Sequence, residues 1–297
     1  MTRIGIASAC ASATVVNALA TGKGAAFGIE LRVYASVEIG SHLKGIKGRV
    51  LGTRASPRLI EVCVRKVLEK FEMNGVGARV QTTSDIPIAV GLSSSSAAAN
   101  AAVLAAYAAL GERPKPRDVL ELGIDAALET GVTITGALDD AAGSLHGYGV
   151  ITDNLRRRIL KKFRVPRNLK VAVFVPKFRI YTSSLSKRDF SAIREGVECA
   201  HKLALRGDIW SAMVLNGLLY SHALGLDPSP ALEALSAGAV AAGFLMKGLG
   251  DTQQTLSVLG VLVAISAICA VAVRFSAEHK AREQALYDNT LAAAGNA

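Results

Sequence analysis

The sequence predicts an α+β fold in two lobes, on three observations. Strand-like runs open the chain and are not each followed by a crossover helix. Long helices with one apolar face come between later strands. A single buried strand then precedes a helix-rich second part. The chain has 297 residues, of which 51% are apolar and 20% charged, ample material for a core. The expected division is 1–155 for the first lobe, 156–243 for the second, and 244–297 for a tail of different character.

Residues 4–16 and 27–39 alternate and are β-branched, as strands are. The Gly-rich stretch "NALATGKGAAFG" joins them. Residues 56–75 read as a helix: Ser56 can cap it, Pro57 sits in its first turn, and apolar residues recur at Leu59, Ile60, Cys63, Val67, Leu68 and Phe71. "ARVQTTSDIP" reads as a strand ending at Pro87. A helix rich in alanine follows to about Leu110, and "KPRDVLELGIDAALETG" is another. The segment from Thr130 to Val150, with its glycines and paired aspartates, reads as loop. "NLKVAVFVP" is a buried strand, and helices are expected at about 187–206, 209–224 and 229–242.

The formal charge of +10 favours anionic partners. Its densest basic run, Arg156 to Lys170, contains Phe163 as its one aromatic residue, so it reads as a solvated face and nucleic acid is not an expected partner. Cys10, Cys63, Cys199 and Cys269 are far apart and form no C-x-x-C, which argues for reduced thiols in a cytoplasmic protein. Ser, Thr and Asn interrupt the apolar start of the chain, so no secretory h-region forms.

Four consecutive serines, Ser93 to Ser96, stand between Gly91-Leu92 and a run beginning at Ala97. A helix start leaves backbone N–H groups unpaired and carries partial positive charge, which suits a phosphate. Plain capping requires one serine, whereas four supply a cradle. Neither a Walker P-loop nor a G-x-G-x-x-G fingerprint is present. Downstream, Asp139 and Asp140 form an adjacent carboxylate pair in a Gly-flanked turn, about ten residues after Glu129. Like charges so close need a cation or a basic neighbour, and they suit Mg²⁺ binding or proton abstraction as well as a plain turn and helix cap.

"SDIPIAVGLSSSSAAANA" resembles the second motif of the GHMP kinases, P-x-x-x-G-L-G-S-S-A. Pro87, Gly91, Leu92, Ser94 and Ser95 match it, and Ser93 replaces the glycine. Together with Val15 to Ile29 and "TGVTITGALDDA", the stretch is most similar within that family to the archaeal type of shikimate kinase, over about residues 1–243. The resemblance implies an N-terminal lobe like ribosomal protein S5 and an α/β C-terminal lobe. It also implies ATP and Mg²⁺ as cofactors, and phosphorylation of shikimate to shikimate 3-phosphate in aromatic amino acid biosynthesis. Homoserine or mevalonate kinase activity is the alternative, or a catalytically weak nucleotide-binding protein tethered to a membrane. By the same resemblance, Pro87 and Gly91 to Ala97 hold the nucleotide, Ser95 and Glu129 ligate Mg²⁺, and Asp139 takes the substrate proton with Asp140 as its alternate. Lys23 is the expected catalytic cation. Asn17 and Thr21 are candidate substrate contacts, and Arg179 a candidate for the substrate carboxylate.

The sequence departs from the family after Gly243. The Gly-rich third motif is absent, and with it backbone donors each worth about 2.7–4 kcal/mol in a transition state. Leu256 to Val273 is uncharged. As a helix of about 27 Å it could just span a bilayer, so the tail reads as an anchor holding the protein on the cytosolic face of a membrane, or as a segment from a fusion or frameshift.

Overall fold

The computed structural model describes residues 2–86, 92–174, 180–181, 189–245, 255–256 and 259–264. Two long strands, β1 (Arg3–Val16) and β2 (Lys23–Gly40), pair antiparallel along almost their whole length. On its other side β2 pairs with β4 (Gly77–Ser84) through its second half and with β5 (Gly149–Asp153) through its first four residues. Parallel β3 (Ile46–Val50) extends the sheet beyond β4, and β6 (Arg158–Phe163) extends it beyond β5. The basic run expected to be a solvated face is therefore partly an edge strand, and its exposed Lys161 and Lys162 suit an edge that must not pair further.

Helices α1 (Arg58–Lys70), α2 (Ser94–Leu110), α3 (Pro116–Glu129) and α4 (Leu138–His146) belong to this first part of the chain. The alanines of α2 explain its depth. Ala97, Ala99, Ala101, Ala102, Ala105, Ala106 and Ala109 are all buried, and a side chain at Gly5 of β1 would collide with the backbone of Ala105 and Ala109. Only two small surfaces allow that approach. Helix α4 corrects the loop reading of residues 130–150. It is short and contains Gly143, and packing holds it: a side chain at Gly28 of β2 would collide with the backbone of Gly143 and Gly147.

The second part carries α5 (Arg194–Arg206), α6 (Ile209–Leu224) and α7 (Ser229–Ser236). A three-stranded antiparallel sheet runs in the order β7 (Lys170–Phe174), β11 (Leu259–Ala264), β9 (Ala239–Leu245), and β8 (Ile180–Tyr181) pairs with β10 (Thr255–Leu256). Two expectations are corrected here. The helix expected to run on to residue 242 ends at Ser236, and Gly238 at φ +95° turns the chain into β9. The apolar run from Leu256 to Val273 is not a continuous helix, because residues 259–264 form the central strand of this sheet; 265–273 lie outside the described residues. A short, unbroken apolar run suits a strand as well as a helix segment, so composition alone does not distinguish them. Among the described residues no helix is long and apolar enough to cross a membrane.

Candidate active site

The start of α2 is uncapped. Ser93 occupies the capping position with left-handed backbone (φ +55°), and its side chain makes no capping hydrogen bond to the first amides of the helix. Leu92 is fully buried, and its carbonyl accepts from Ser12 N–H of β1 at 3.3 Å, which anchors the entry to the helix. Ser94 is exposed, and Ser95 and Ser96 are half-buried. Free N–H groups, a positive helix end and hydroxyls on the first turn make a surface fit for phosphate oxygens. Pro87 and Gly91 lie outside the described residues, as does Arg179.

The start of α4 supplies the acid pair. Asp139 is 3% exposed, and its Oδ1 accepts from Asn154 Nδ2 at 2.8 Å. Asp140 keeps partial contact with solvent, and its Oδ1 accepts from Ser12 Oγ at 3.2 Å and Thr14 Oγ1 at 3.4 Å. Burial, and then the neighbouring Asp140 charge, push the Asp139 carboxyl up to about 7, against the pull of Asn154. Burial also raises Asp140, while Ser93, Ser12 and Thr14 hold it down. With more hydroxyl donors and some water, Asp140 carries the negative charge more readily, and Asp139 titrates near neutrality.

Ser93 links the two helix starts. Its Oγ is sealed from solvent and lies beside Asp140, close enough to favour the carboxylate, although no hydrogen bond of good geometry forms. The serine loop and the carboxylate pair, 46 positions apart in sequence, thus meet in one place.

Lys23 is not brought to these carboxylates. Its Nζ stands 3.7 Å from Glu198 Oε1 of α5, and both side chains are partly exposed. The reason is strand alternation: the next residue, Gly24, faces Asp139 so closely that any side chain there would strike the carboxylate, which sends Lys23 to the opposite face. Glu129 ends α3 and is held by Lys66 at 2.9 Å and by Arg65, so it would have to leave two cations to ligate a metal. Among the described residues no group of three or more His, Cys, Asp or Glu side chains stands ready for a metal. Asn17 and Thr21 spend their side chains on their own loop: Asn17 Oδ1 accepts from Leu19 N–H at 2.9 Å, and Thr21 Oγ1 accepts from Lys23 N–H at 3.1 Å.

The sequence reading missed Asn154, and it missed two residues of α6 that pin the loop between β1 and β2. Asn216 Oδ1 accepts from Asn17 N–H at 3.0 Å, while Tyr220 OH accepts from Ala20 N–H at 3.0 Å and donates to Asn17 O at 3.2 Å. The one signal in the sequence is that these polar groups sit one helical turn apart on an otherwise apolar helix.

The chain is similar to known proteins. A family model described as the GHMP kinases N terminal domain fits residues 58–148, which include both helix starts. Relatives named shikimate kinase are similar over most of the chain. That of Methanosarcina acetivorans is 43% identical over 257 residues, covering 86% of each chain. That of Methanothermobacter thermautotrophicus is 44% identical over 253 residues, covering 83% of this chain and 84% of its own. The chain belongs to the GHMP kinase family. Solved structures agree in fold. A homoserine kinase from Cytophaga hutchinsonii superimposes with a TM-score of 0.65 at 19% identity, covering 89% of this chain and 86% of its own. The mevalonate kinase of Methanococcus jannaschii gives 0.64 at 14% identity, covering 87% and 90%.

Proposed function

We propose that this GHMP kinase transfers the terminal phosphoryl group of ATP to a hydroxyl of shikimate. The observation that carries the reading is the meeting of the α2 start with the buried carboxylate pair: Ser93 lies beside Asp140, and the adjoining Asp139 titrates near neutrality. The choice of shikimate is supported by identity above 40% to relatives of that name. The homoserine and mevalonate kinases share the fold at 19% identity or less.

Phosphoryl transfer needs placement and charge neutralisation more than covalent help. The α2 amides and Ser94 to Ser96 receive the β- and γ-phosphates. Mg²⁺ would be held by Ser95, and by Glu129 if that carboxylate left Arg65 and Lys66, and would supply positive charge against phosphate oxygens. The acceptor oxygen forms its bond to the γ-phosphorus as the bond to the ADP oxygen breaks, and the acceptor's proton passes to Asp139. A base whose pKa lies near the working pH combines availability with basicity. Asp140, whose charge is favoured by Ser12 and Thr14 against the effect of burial, is the alternate acceptor.

Coupled ADP release measured with shikimate, homoserine and mevalonate tests this reading. Turnover is expected with shikimate alone, and Asp139→Asn should lower kcat by about 10²–10⁴-fold while leaving ATP affinity intact. Turnover with mevalonate or homoserine instead would refute it.

A further inference from the structure

Asn154 stands out among the residues with no assigned role. It is 2% exposed, in the turn between β5 and β6, and every polar group it carries is engaged. Its Oδ1 accepts from Thr152 Oγ1 at 2.7 Å. Its Nδ2 donates to Asp139 Oδ1 at 2.8 Å and reaches Thr135 Oγ1 at 3.4 Å. Its backbone N–H donates to Gly22 O at 2.8 Å, and its carbonyl accepts from Arg157 N–H at 3.1 Å. Thr152 Oγ1 also stands 3.2 Å from Gly24 O, so its one proton serves one acceptor at a time; it is the ionised Asp139 carboxylate, which can only accept, that turns the amide's NH₂ group towards itself.

Gly24 closes the other side of Asp139. The carboxylate is held between a glycine of β2 and an amide of the β5–β6 turn, neither from its own helix. We propose that Asn154 is a positioning residue for phosphoryl transfer, one that aims Asp139 at the acceptor hydroxyl and stabilises its ionised form. This rests on the reading of Asp139 as the base. A merely structural asparagine would not need its donor end turned onto a buried acid. Among the described residues, the titratable groups acting on Asp139 are Asp140 from its own helix and Tyr220 from α6. Asn154 is the uncharged donor that opposes the effect of burial.

Asn154→Leu keeps the shape and removes the donor. The test follows the carboxyl carbon of Asp139 by NMR through a pH titration of the full chain, with the signal identified by its loss in Asp139→Asn. The midpoint is expected to rise by about one pH unit, a tenfold weaker acid, with a matching rise in the pH dependence of kcat and an unchanged KM for ATP. A folded variant whose midpoint and profile stay in place would overturn the proposal. If Asn154→Leu does not fold, Thr152→Val, which frees the amide to turn, should move the midpoint the same way by a smaller amount; no movement there would also overturn it. The two claims separate cleanly. A shifted midpoint in a chain that does not phosphorylate shikimate would refute the assigned function and leave the role of Asn154 standing. Shikimate turnover with an unshifted midpoint would do the reverse.

Discussion

Replacing Asp139 by asparagine should stabilise the protein at the pH where it abolishes turnover. The carboxyl is carried from an ordinary 3.8 to about 7 in the folded chain, mainly by burial. A carboxyl raised in this way is bound to its proton in the folded state while the unfolded state has already released it. Stability is then fullest below pH 3.8 and is lost as pH rises towards 7. At 1.36 kcal/mol per unit, the interval amounts to about 4 kcal/mol by pH 8. Asparagine has nearly the same shape, keeps an oxygen for Asn154, and never ionises, so it escapes that loss. It also lifts the burden on Asp140. Urea unfolding of both proteins at pH 4.5 and pH 8 is the assay. The variant is expected to match the native chain within about 1 kcal/mol at the lower pH and to exceed it by about 2–4 kcal/mol at the higher. Equal stabilities at both values, or a variant weaker at pH 8, would refute the view that Asp139 is held at an energetic cost for its chemistry.

Three other substitutions probe the same site. Gly24→Ala places a methyl group against the Asp139 carboxylate and should cost about 1–3 kcal/mol in thermal unfolding and lower kcat sharply; full activity would show that the contact is not tight. Tyr220→Phe strips partners from the buried Ala20 N–H and Asn17 carbonyl, so a loss of about 2 kcal/mol is expected in urea unfolding, and a loss of a few tenths would contradict the clamp. Ser93→Gly relieves a left-handed serine and should gain about 1 kcal/mol in melting experiments with ATP affinity unchanged, since backbone amides rather than this hydroxyl meet the phosphates. Weakened ATP binding in that variant would return the role to the side chain.

Where local chemistry decides structure, the sequence was legible. Helix α6 begins after Asp208, whose carboxylate accepts from Ser211 N–H, and ends at Gly225 in the left-handed region, so both boundaries could be read directly. The serine at position 93 was visible as a replacement for glycine, and the structure shows why that position favours glycine. Where tertiary packing decides, reading failed. Helix α4 looks like a loop because Gly136 and Gly147 flank it and Gly143 lies within it, yet it packs closely on β2, where Gly28 leaves room for its backbone. Strands β9 and β11 looked like the end of a helix and a membrane span, because a short unbroken apolar run does not by itself tell strand from helix. Asn154 was invisible because its role depends on a carboxylate 15 residues earlier, which only the β2–β5 pairing brings within reach.

Product identity tests the central claim most directly. Incubating the native chain with ATP, Mg²⁺ and an equimolar mixture of shikimate, homoserine and mevalonate, and following new phosphate monoester signals by phosphorus NMR, forces the alcohols to compete. The account predicts one new monoester, that of shikimate, and none when Asp139 is asparagine. A monoester of another alcohol, or undiminished product from the asparagine variant, would contradict it.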